Sequence, residues 1–263
     1  MRASETLQLV YFAACAAIAC VRPLPAARRL QIAAIAAPMI AVIVSLARYG
    51  SSSIRDWAPA AGILAGYYAS GRFFVGPSQR VEAWLIAWDR RLLGDPATRF
   101  ARWPRALLAY LEIVYMGCFL LVPAGFGALA AAGRSDLADR YWTIVAAAEL
   151  GAFAPLTIIQ TRPPWLVERK AVVADRAVHR AAARMVERFT IHANTFPSGH
   201  VAGSLAAALA LLGPLPWLAG AALVLAISIA VATVVGRYHY VIDGVAGVAL
   251  AVAVWTIVRA AGM

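Results

Sequence analysis

Residues 217–258 read WLAGAALVLAISIAVATVVGRYHYVIDGVAGVALAVAVWTIV, and this stretch decides the fold class. It contains two apolar runs, 217–235 and 239–258, each of about the 17 to 25 residues that cross roughly 30 Å of hydrocarbon as a helix. Polar side chains gather where the first run gives way to the second, at Arg237, His239 and Asp243. The stretch therefore predicts two membrane-spanning helices with polar residues where they meet.

The rest of the chain has the same character. It has 263 residues, 62% of them hydrophobic, and a mean hydropathy of +0.73, far more apolar than a soluble domain needs to fill one core. Further apolar windows lie at 6–21, 30–47, 57–75, 104–130, 140–160 and 198–213. We expect an all-α polytopic transmembrane helical bundle of about eight spans, with an N-terminal transmembrane hairpin in 1–56 and a six-helix membrane domain in 57–263.

The formal charge of +11 indicates a membrane surface as the partner of the basic residues. The arginines flank apolar spans and form no stripe on a soluble domain, which excludes nucleic acid as the favoured partner. In the eight-span interpretation, three quarters of the 24 Lys and Arg residues lie on one side. The positive-inside rule makes that side cytoplasmic in a plasma membrane of bacterial type and puts both termini on the other side. Cys15, Cys20 and Cys118 show neither paired nor metal-ligand spacing, so we expect them to be packing residues.

Two of the connections have amphipathic patterns that predict helices lying on the membrane surface. Between Arg80 and Leu93, one helical face carries Val81, Trp84, Leu85, Trp88 and Leu92, and the other carries Arg80, Glu82, Arg90 and Arg91. In the connection from Arg162 to Pro197, arginines recur every four residues and therefore stack along one face. They are Arg176, Arg180, Arg184 and Arg188.

Three polar clusters stand at the ends of predicted spans: residues 160–165, 196–200 and 236–247. Because the spans alternate in direction, all three clusters are predicted to emerge on the same membrane face. Ionisable groups near hydrocarbon are costly and call for a partner or a function. We therefore interpret the three clusters as one site.

The residue types in these clusters suit phosphoryl chemistry. Arg162 and Arg237 supply planar charged forks for phosphoryl oxygens, and Ser198 and Gly199 lie at a helix start, where unpaired backbone N–H groups bind anions. One helical turn separates His239 from Asp243, so the carboxylate can orient one ring nitrogen and leave the other as a nucleophile. His200 remains as a general acid for the leaving group.

These motifs resemble those of the type-2 phosphatidic acid phosphatase family, the membrane lipid phosphatases and phosphotransferases related to vanadium haloperoxidases. That family carries a lysine and Arg-Pro motif, then Pro-Ser-Gly-His, then an Arg, His and Asp motif. Here Arg162-Pro163, the run Pro197–His200 and the trio Arg237, His239 and Asp243 follow the same order, within a resemblance over roughly 57–258.

The resemblance implies a catalytic role for the six-helix domain, with a lipid phosphate or phospholipid as substrate and no metal or other cofactor. It makes His239 the phosphohistidine, Asp243 its orienting carboxylate and His200 the proton donor. It makes Arg162, Ser198, Gly199 and Arg237 the phosphate ligands.

The chain also departs from the family pattern. Pro155 stands where the first motif usually has its lysine, and only Tyr238 separates Arg237 from His239, where the phosphatase pattern has five residues. The spacing of this third motif resembles the inositol-phosphorylceramide synthase branch and is similar to sphingomyelin synthases, whereas Pro-Ser-Gly-His is the phosphatase form. The sequence thus leaves the branch open.

Three functions remain open at this point. A lipid phosphatase would pass the phosphoryl group to water, a headgroup phosphotransferase would pass it to a lipid hydroxyl, and a non-enzymatic carrier would only bind anionic lipid. The ionisable residues crowd toward one face, whereas a carrier needs a polar path to both. Glu112 and Glu149 fall inside predicted spans, where a carboxyl should be neutral or paired, and the sequence assigns neither a role. It assigns no oligomeric state either.

Overall fold

The computed structural model describes residues 1–168 and 176–262. Within these ranges the chain forms twelve α-helices, two short 3-10 helices (Ser135–Leu137 and Ala154–Thr157) and one isolated β-bridge between Thr161 and Asn194. The α-helices are α1 Ala3–Val21, α2 Ala26–Tyr49, α3 Ser52–Gly71, α4 Gln79–Leu93, α5 Pro96–Ala101, α6 Arg105–Ala131, α7 Ala138–Phe153, α8 Pro164–Glu168, α9 Arg176–Phe189, α10 Gly199–Ala210, α11 Pro216–Val235 and α12 Val241–Ala260. The predicted all-α helical bundle is confirmed.

A helix lies at each of the eight predicted spans: α1, α2, α3, α6, α7, α10, α11 and α12. Among the described residues, five of these helices are long and apolar enough to cross a membrane, namely α1, α2, α6, α11 and α12. The others fall short for local reasons, since α3 carries Arg55 and Asp56, α7 has 16 residues and α10 has only 12. The number of eight spans stays a prediction.

The short helices are central in the bundle. Helix α10 contacts α6, α7, α11 and α12, and its buried positions are mostly small, as at Ala202, Ala206 and Ala207. Small residues allow helices in a membrane to approach closely. Most of α7 is buried as well, including Tyr141 and Trp142. The two helices that fall short in length, α7 and α10, are thus largely enclosed by other helices.

The start of α1 is fixed to α3 and α7 by what we term the far-end cluster: Arg2, Glu5, Arg55, Asp56 and Asp139. Arg2 pairs with Asp56 at 2.7 Å, and Arg55 pairs with Glu5 at 2.7 Å. Asp139 accepts hydrogen bonds from the backbone of α1 at Ala3 and Ser4. The N-terminal helix is thus packed onto the remaining bundle, and the division at residue 56 stays a prediction.

Helix α4 confirms the helix predicted between Arg80 and Leu93, but one residue of the predicted charged face is buried. Leu85 is buried as expected, whereas Trp84 is 46% and Leu92 49% exposed. The buried positions around Leu85 are the acidic Glu82 and Asp89. Glu82 of the predicted charged face is thus buried, because it has an arginine partner inside the protein, as Asp89 also has.

Helix α9 lies against α6 and confirms the second predicted helix. Its Ala182 and Val186 are buried, and Arg184 and Arg188 are exposed, as a surface-lying helix requires. The side chains of Arg176 and Arg180, the other members of the predicted stripe, lie outside what the structure describes.

Candidate active site

The three polar clusters come together at one end of the bundle, as the alternation of spans predicts. The backbone N–H of Ser198 donates to the carbonyl of Asp243 at 3.0 Å, and that of Trp165 donates to the carbonyl of Arg237 at 3.0 Å. The β-bridge between Thr161 and Asn194 joins the first cluster to the residues just before the second. The clusters are thus linked through the main chain as well as through side chains.

The turn between α11 and α12 positions the third motif. Arg237 has a φ of 62°, a left-handed conformation that is uncommon for residues other than glycine. Tyr240 precedes the first turn of α12, and its backbone N–H donates to Asp243 Oδ2 at 3.0 Å. This capping interaction orients the Asp243 carboxylate toward the preceding turn, where His239 lies.

The imidazole of His239 faces Asp243. Its Nδ1 lies 3.4 Å from Asp243 Oδ2, a long contact, and His239 is almost fully buried. The same oxygen accepts a hydrogen bond from the Asn194 side chain at 2.9 Å. Of the residues that the structure describes, none hydrogen-bonds to Asp243 Oδ1. The Asp243 carboxylate is therefore fixed by two other hydrogen bonds and can still accept one from Nδ1–H of His239. Such a bond favours the tautomer of His239 that carries its proton on Nδ1.

His200 lies beside His239, with the two ring centroids 5.4 Å apart in an edge-to-face arrangement. Tyr115 stacks on His200 at 5.3 Å, and its Oη lies 3.5 Å from His200 Nε2. The ring of Tyr115 also stacks on that of Tyr238, with the two centroids 3.8 Å apart. A cavity of about 30 Å³ touches both histidines, which is room for one or two water molecules.

Arg162 is bound to a carboxylate. Its backbone N–H and Nε donate to Glu82 Oε2, each at 3.1 Å, and its Nη2 donates to Glu82 Oε1 at 2.7 Å. Burial alone would raise the pKa of the Glu82 carboxyl, but these hydrogen bonds outweigh it and lower that pKa below its usual value. The Arg162 side chain remains 42% exposed, so part of its guanidinium is accessible to a ligand.

Arg237 is fully buried between two carboxylates. Its Nη1 donates to Asp89 at 2.8 Å, and its Nε and Nη2 donate to the two oxygens of Glu168 at 3.1 and 2.7 Å. Burial raises the pKa of Asp89 above its usual value, although the backbone N–H of Val241 and the charge of Arg237 oppose the rise. We term Arg162, Glu82, Arg237, Asp89 and Glu168 the site-end cluster.

Ser198 and Gly199 lie at the start of α10, as predicted, and both are buried. The Ser198 hydroxyl caps the helix by accepting from the backbone N–H of Val201 at 3.4 Å. The backbone N–H of Gly199 donates to the Thr195 hydroxyl at 3.2 Å. In this state of the protein, the N–H groups expected to bind phosphate are occupied by protein oxygens.

The sequence reasoning missed most of the supporting residues. Asn194 donates to both Asp243 and the Thr161 hydroxyl, and Gln160 donates to the carbonyl of Phe73 at 2.6 Å. Glu168 also went unnoticed, and Glu82 was assigned only to the charged face of its helix. The spacing of Glu82, Leu85 and Asp89, three and then four residues apart, is the signal that could have indicated a buried face.

Fold and site together define a helical membrane protein with a buried His-Asp pair, a second histidine and two arginines at one end. The family model of the PAP2 superfamily, the type-2 phosphatidic acid phosphatases, matches residues 83–257, which is more than half of the chain. The chain belongs to the PAP2 superfamily, and this membership supports a function of phosphatase or phosphotransferase type. Neither a search of curated proteins nor a search of solved structures finds a match.

The question of a metal is separate. Among the residues that the structure describes, no group of three or more His, Cys, Asp or Glu side chains could hold a metal ion. Metal independence of the reaction stays a prediction.

Proposed function

We propose that this protein hydrolyses the phosphoester of a lipid phosphate through a covalent intermediate on His239. The observation that carries the proposal is the juxtaposition of His239, Asp243 and His200 at the end of an apolar bundle. Asp243 contacts Nδ1 of His239, which leaves Nε2 as the nucleophile. His200 lies beside His239 and is therefore placed to donate a proton to the lipid oxygen that leaves phosphorus.

The chemistry balances in two steps. In the first, His239 Nε2 forms a bond to phosphorus while the bond from phosphorus to the lipid oxygen breaks, and protonated His200 gives that oxygen a proton. In the second, a water oxygen bonds to phosphorus while the bond from phosphorus to His239 Nε2 breaks, and His200 takes a proton from the water, so that inorganic phosphate leaves and both histidines return to their starting forms. Arg162 and Arg237 would hold the phosphoryl oxygens, where charge develops in the transition state. The backbone N–H groups of Ser198 and Gly199 would join them once released from the Asp243 carbonyl and the Thr195 hydroxyl.

Substrate entry requires a change from the arrangement described above. The cavity beside the histidines is too small for a phosphoryl group, and carboxylates engage both arginines. We propose that the bound phosphoryl group takes the place of Glu168 on Arg237, with a shift of residues 186–193, some of which line the small cavity beside His239. In this proposal the long contact between His239 and Asp243 shortens when substrate is bound.

Headgroup transfer shares the same intermediate and is the alternative acceptor chemistry. To test the proposal, purified protein in nanodiscs is given a radiolabelled lipid phosphate with and without added lipid alcohols, and the products are identified. Release of inorganic phosphate regardless of alcohol supports hydrolysis. A labelled phosphomonoester of the added alcohol identifies a transferase, and binding without any product identifies the carrier.

We also propose that the site faces the cytoplasm of a bacterial-type plasma membrane, on the strength of the positive-inside count. The test uses a cysteine-free protein with a single cysteine at Glu187 of α9 or at Ser135, which lie near opposite ends of the bundle and are both exposed. In intact cells, an impermeant maleimide should label Ser135→Cys and spare Glu187→Cys. The reverse pattern would overturn the orientation.

A further inference from the structure

An apolar cavity of about 390 Å³ lies among α3, α6, α7 and α10 and reaches His200. Its volume is within the range of about 300 to 1,000 Å³ that is typical of small-molecule sites. The lining is almost entirely hydrocarbon and aromatic, with Ile63, Leu64, Phe119 and Val122 among its members. Such a lining suits the hydrocarbon part of a lipid.

Beyond His200, the polar groups in this apolar lining are the Tyr67 hydroxyl, the Cys118 thiol, the Ser204 hydroxyl and the carboxyl of Glu149. Glu149 is partly buried, and of the residues that the structure describes none hydrogen-bonds to its carboxyl. An unpaired carboxyl in hydrocarbon surroundings is expensive and is expected to have a function. Glu149 is not used by the phosphoryl chemistry proposed above.

The fold makes room for this carboxyl. Glu149 packs directly against the backbone of α10 at Gly203, where an added Cβ would overlap its carboxyl group. A Cβ at Gly199 would lie 3.3 Å from Glu149 Oε2 and 2.5 Å from the ring of Phe153. Two glycines one turn apart therefore form a shallow groove that holds the Glu149 side chain at the wall of the cavity.

The position of Glu149 relative to His200 limits what it can bind. His200 and Ser204 are four residues apart on α10, which corresponds to about 6 Å along the helix axis. In the proposed reaction the leaving oxygen of the lipid lies at His200, so the next few atoms of the lipid pass Ser204 and Glu149. A polar group on the lipid within a few bonds of the phosphoester would meet them.

We propose that this cavity holds the lipid part of the substrate and that Glu149, in its protonated form, hydrogen-bonds a free hydroxyl of that lipid. A protonated carboxyl both donates and accepts, as does an alcohol, so the two satisfy each other without bringing a charge into hydrocarbon. The substrate class is a lipid phosphate with a hydroxyl near its phosphoester. This inference rests on the proposed function for its catalytic readout.

The test compares 1-oleoylglycerol 3-phosphate with its counterpart lacking the 2-hydroxyl, using the purified full chain in nanodiscs. We expect kcat/KM to be about tenfold higher for the hydroxyl-bearing lipid, as one buried hydrogen bond gives. Glu149→Leu should remove this preference by lowering kcat/KM for the hydroxyl-bearing lipid alone. Glu149→Gln, which keeps a donor and an acceptor, should retain it. Equal kcat/KM values in the wild type, or an unchanged preference in Glu149→Leu, would overturn the inference.

A binding measurement separates this inference from the proposed function. The thermal midpoint is recorded with 1-oleoylglycerol and with its counterpart lacking the 2-hydroxyl, neither of which can be turned over. Greater stabilisation by the hydroxyl-bearing lipid in the wild type, lost in Glu149→Leu and kept in Glu149→Gln, supports the site even if no phosphate is released in the kinetic assay. Stabilisation that ignores the hydroxyl refutes the site, even if hydrolysis proceeds.

Discussion

The two ends of the bundle each carry arginines paired with carboxylates, but in different settings. In the far-end cluster, the Arg2 and Arg55 side chains keep about a fifth to a quarter of their surface exposed. In the site-end cluster, the Arg237 side chain has no exposed surface and contacts two carboxylates. Partly exposed pairs contribute about 1 kcal/mol or less, whereas breaking a buried pair costs about 3 to 5 kcal/mol. The pairs whose loss is expected to cost more stability are therefore those of Arg237, close to the two histidines.

The difference also concerns what the pairs connect. The far-end cluster joins α1 to α3 and α7, and its pairs account for packing alone. The site-end cluster joins α4, α8 and the turn before α12 around a group suited to anions. The far-end charges thus join helices, and in our proposal the arginines of the site-end cluster also bind the phosphoryl group.

The largest effect on stability is expected from Arg237→Met. Methionine keeps an unbranched side chain but leaves Asp89 buried without its charge partner, so the free energy of unfolding should fall by about 3 to 5 kcal/mol. The matched control, Arg55→Met in the far-end cluster, should cost about 1 kcal/mol or less. Denaturant unfolding of the two purified variants measures both values. Equal losses of unfolding free energy in the two variants would contradict the difference proposed between the far-end and site-end clusters.

A smaller effect is expected from Glu168→Gln. Removing one carboxylate from Arg237 removes the group that competes with a phosphoryl oxygen, so inorganic phosphate should inhibit nitrophenyl phosphate hydrolysis about tenfold more strongly. Glu187→Gln, an exposed change in α9, is the control and should leave the inhibition constant unchanged. Weaker inhibition in Glu168→Gln would contradict the assignment of Arg237 as a phosphate ligand.

The smallest effect is expected from the pair of Glu82 and Arg162. Because the pKa of Glu82 is lowered in the folded protein, the pair stabilises the fold above the usual carboxyl pKa near 4.5, and this contribution is lost as the pH falls through the lowered pKa. With Arg162 partly exposed, the contribution should be about 1 kcal/mol or less. The difference in thermal midpoint between wild type and Glu82→Gln should therefore shrink on acidification below about pH 4. A difference in thermal midpoint that grows on acidification would contradict a lowered pKa of Glu82 in the folded protein.

Much of the fold could be predicted because the signal for a membrane helix is local. Its length and hydropathy are read from about 20 consecutive residues, and helices occur at all eight predicted positions. The alternation of spans then brought residues 160–165, 196–200 and 236–247 to one end, as the structure confirms. Neither step requires knowledge of how the helices pack.

The partners of the site arginines could not be predicted in the same way. Asp89 and Arg237 are 148 residues apart, and no local pattern reports such a pairing. Helix α4 shows a second reason, since its outer face is as apolar as a buried face, with Trp84 and Leu92 exposed. Where lipid surrounds a protein, the hydrophobic period identifies a helix but does not distinguish its inside from its outside.

The central claim is that His239 carries the phosphoryl group. The direct measurement is rapid mixing of the protein with a lipid phosphate labelled on phosphorus, an alkaline quench that preserves phosphohistidine, and mass spectrometry of the labelled peptide. We predict label on His239 in the wild type and in Arg134→Gln, a control in an exposed surface pair, and none in His239→Gln. Label that persists in His239→Gln, or turnover of the lipid without any label on His239 in the wild type, would contradict the account.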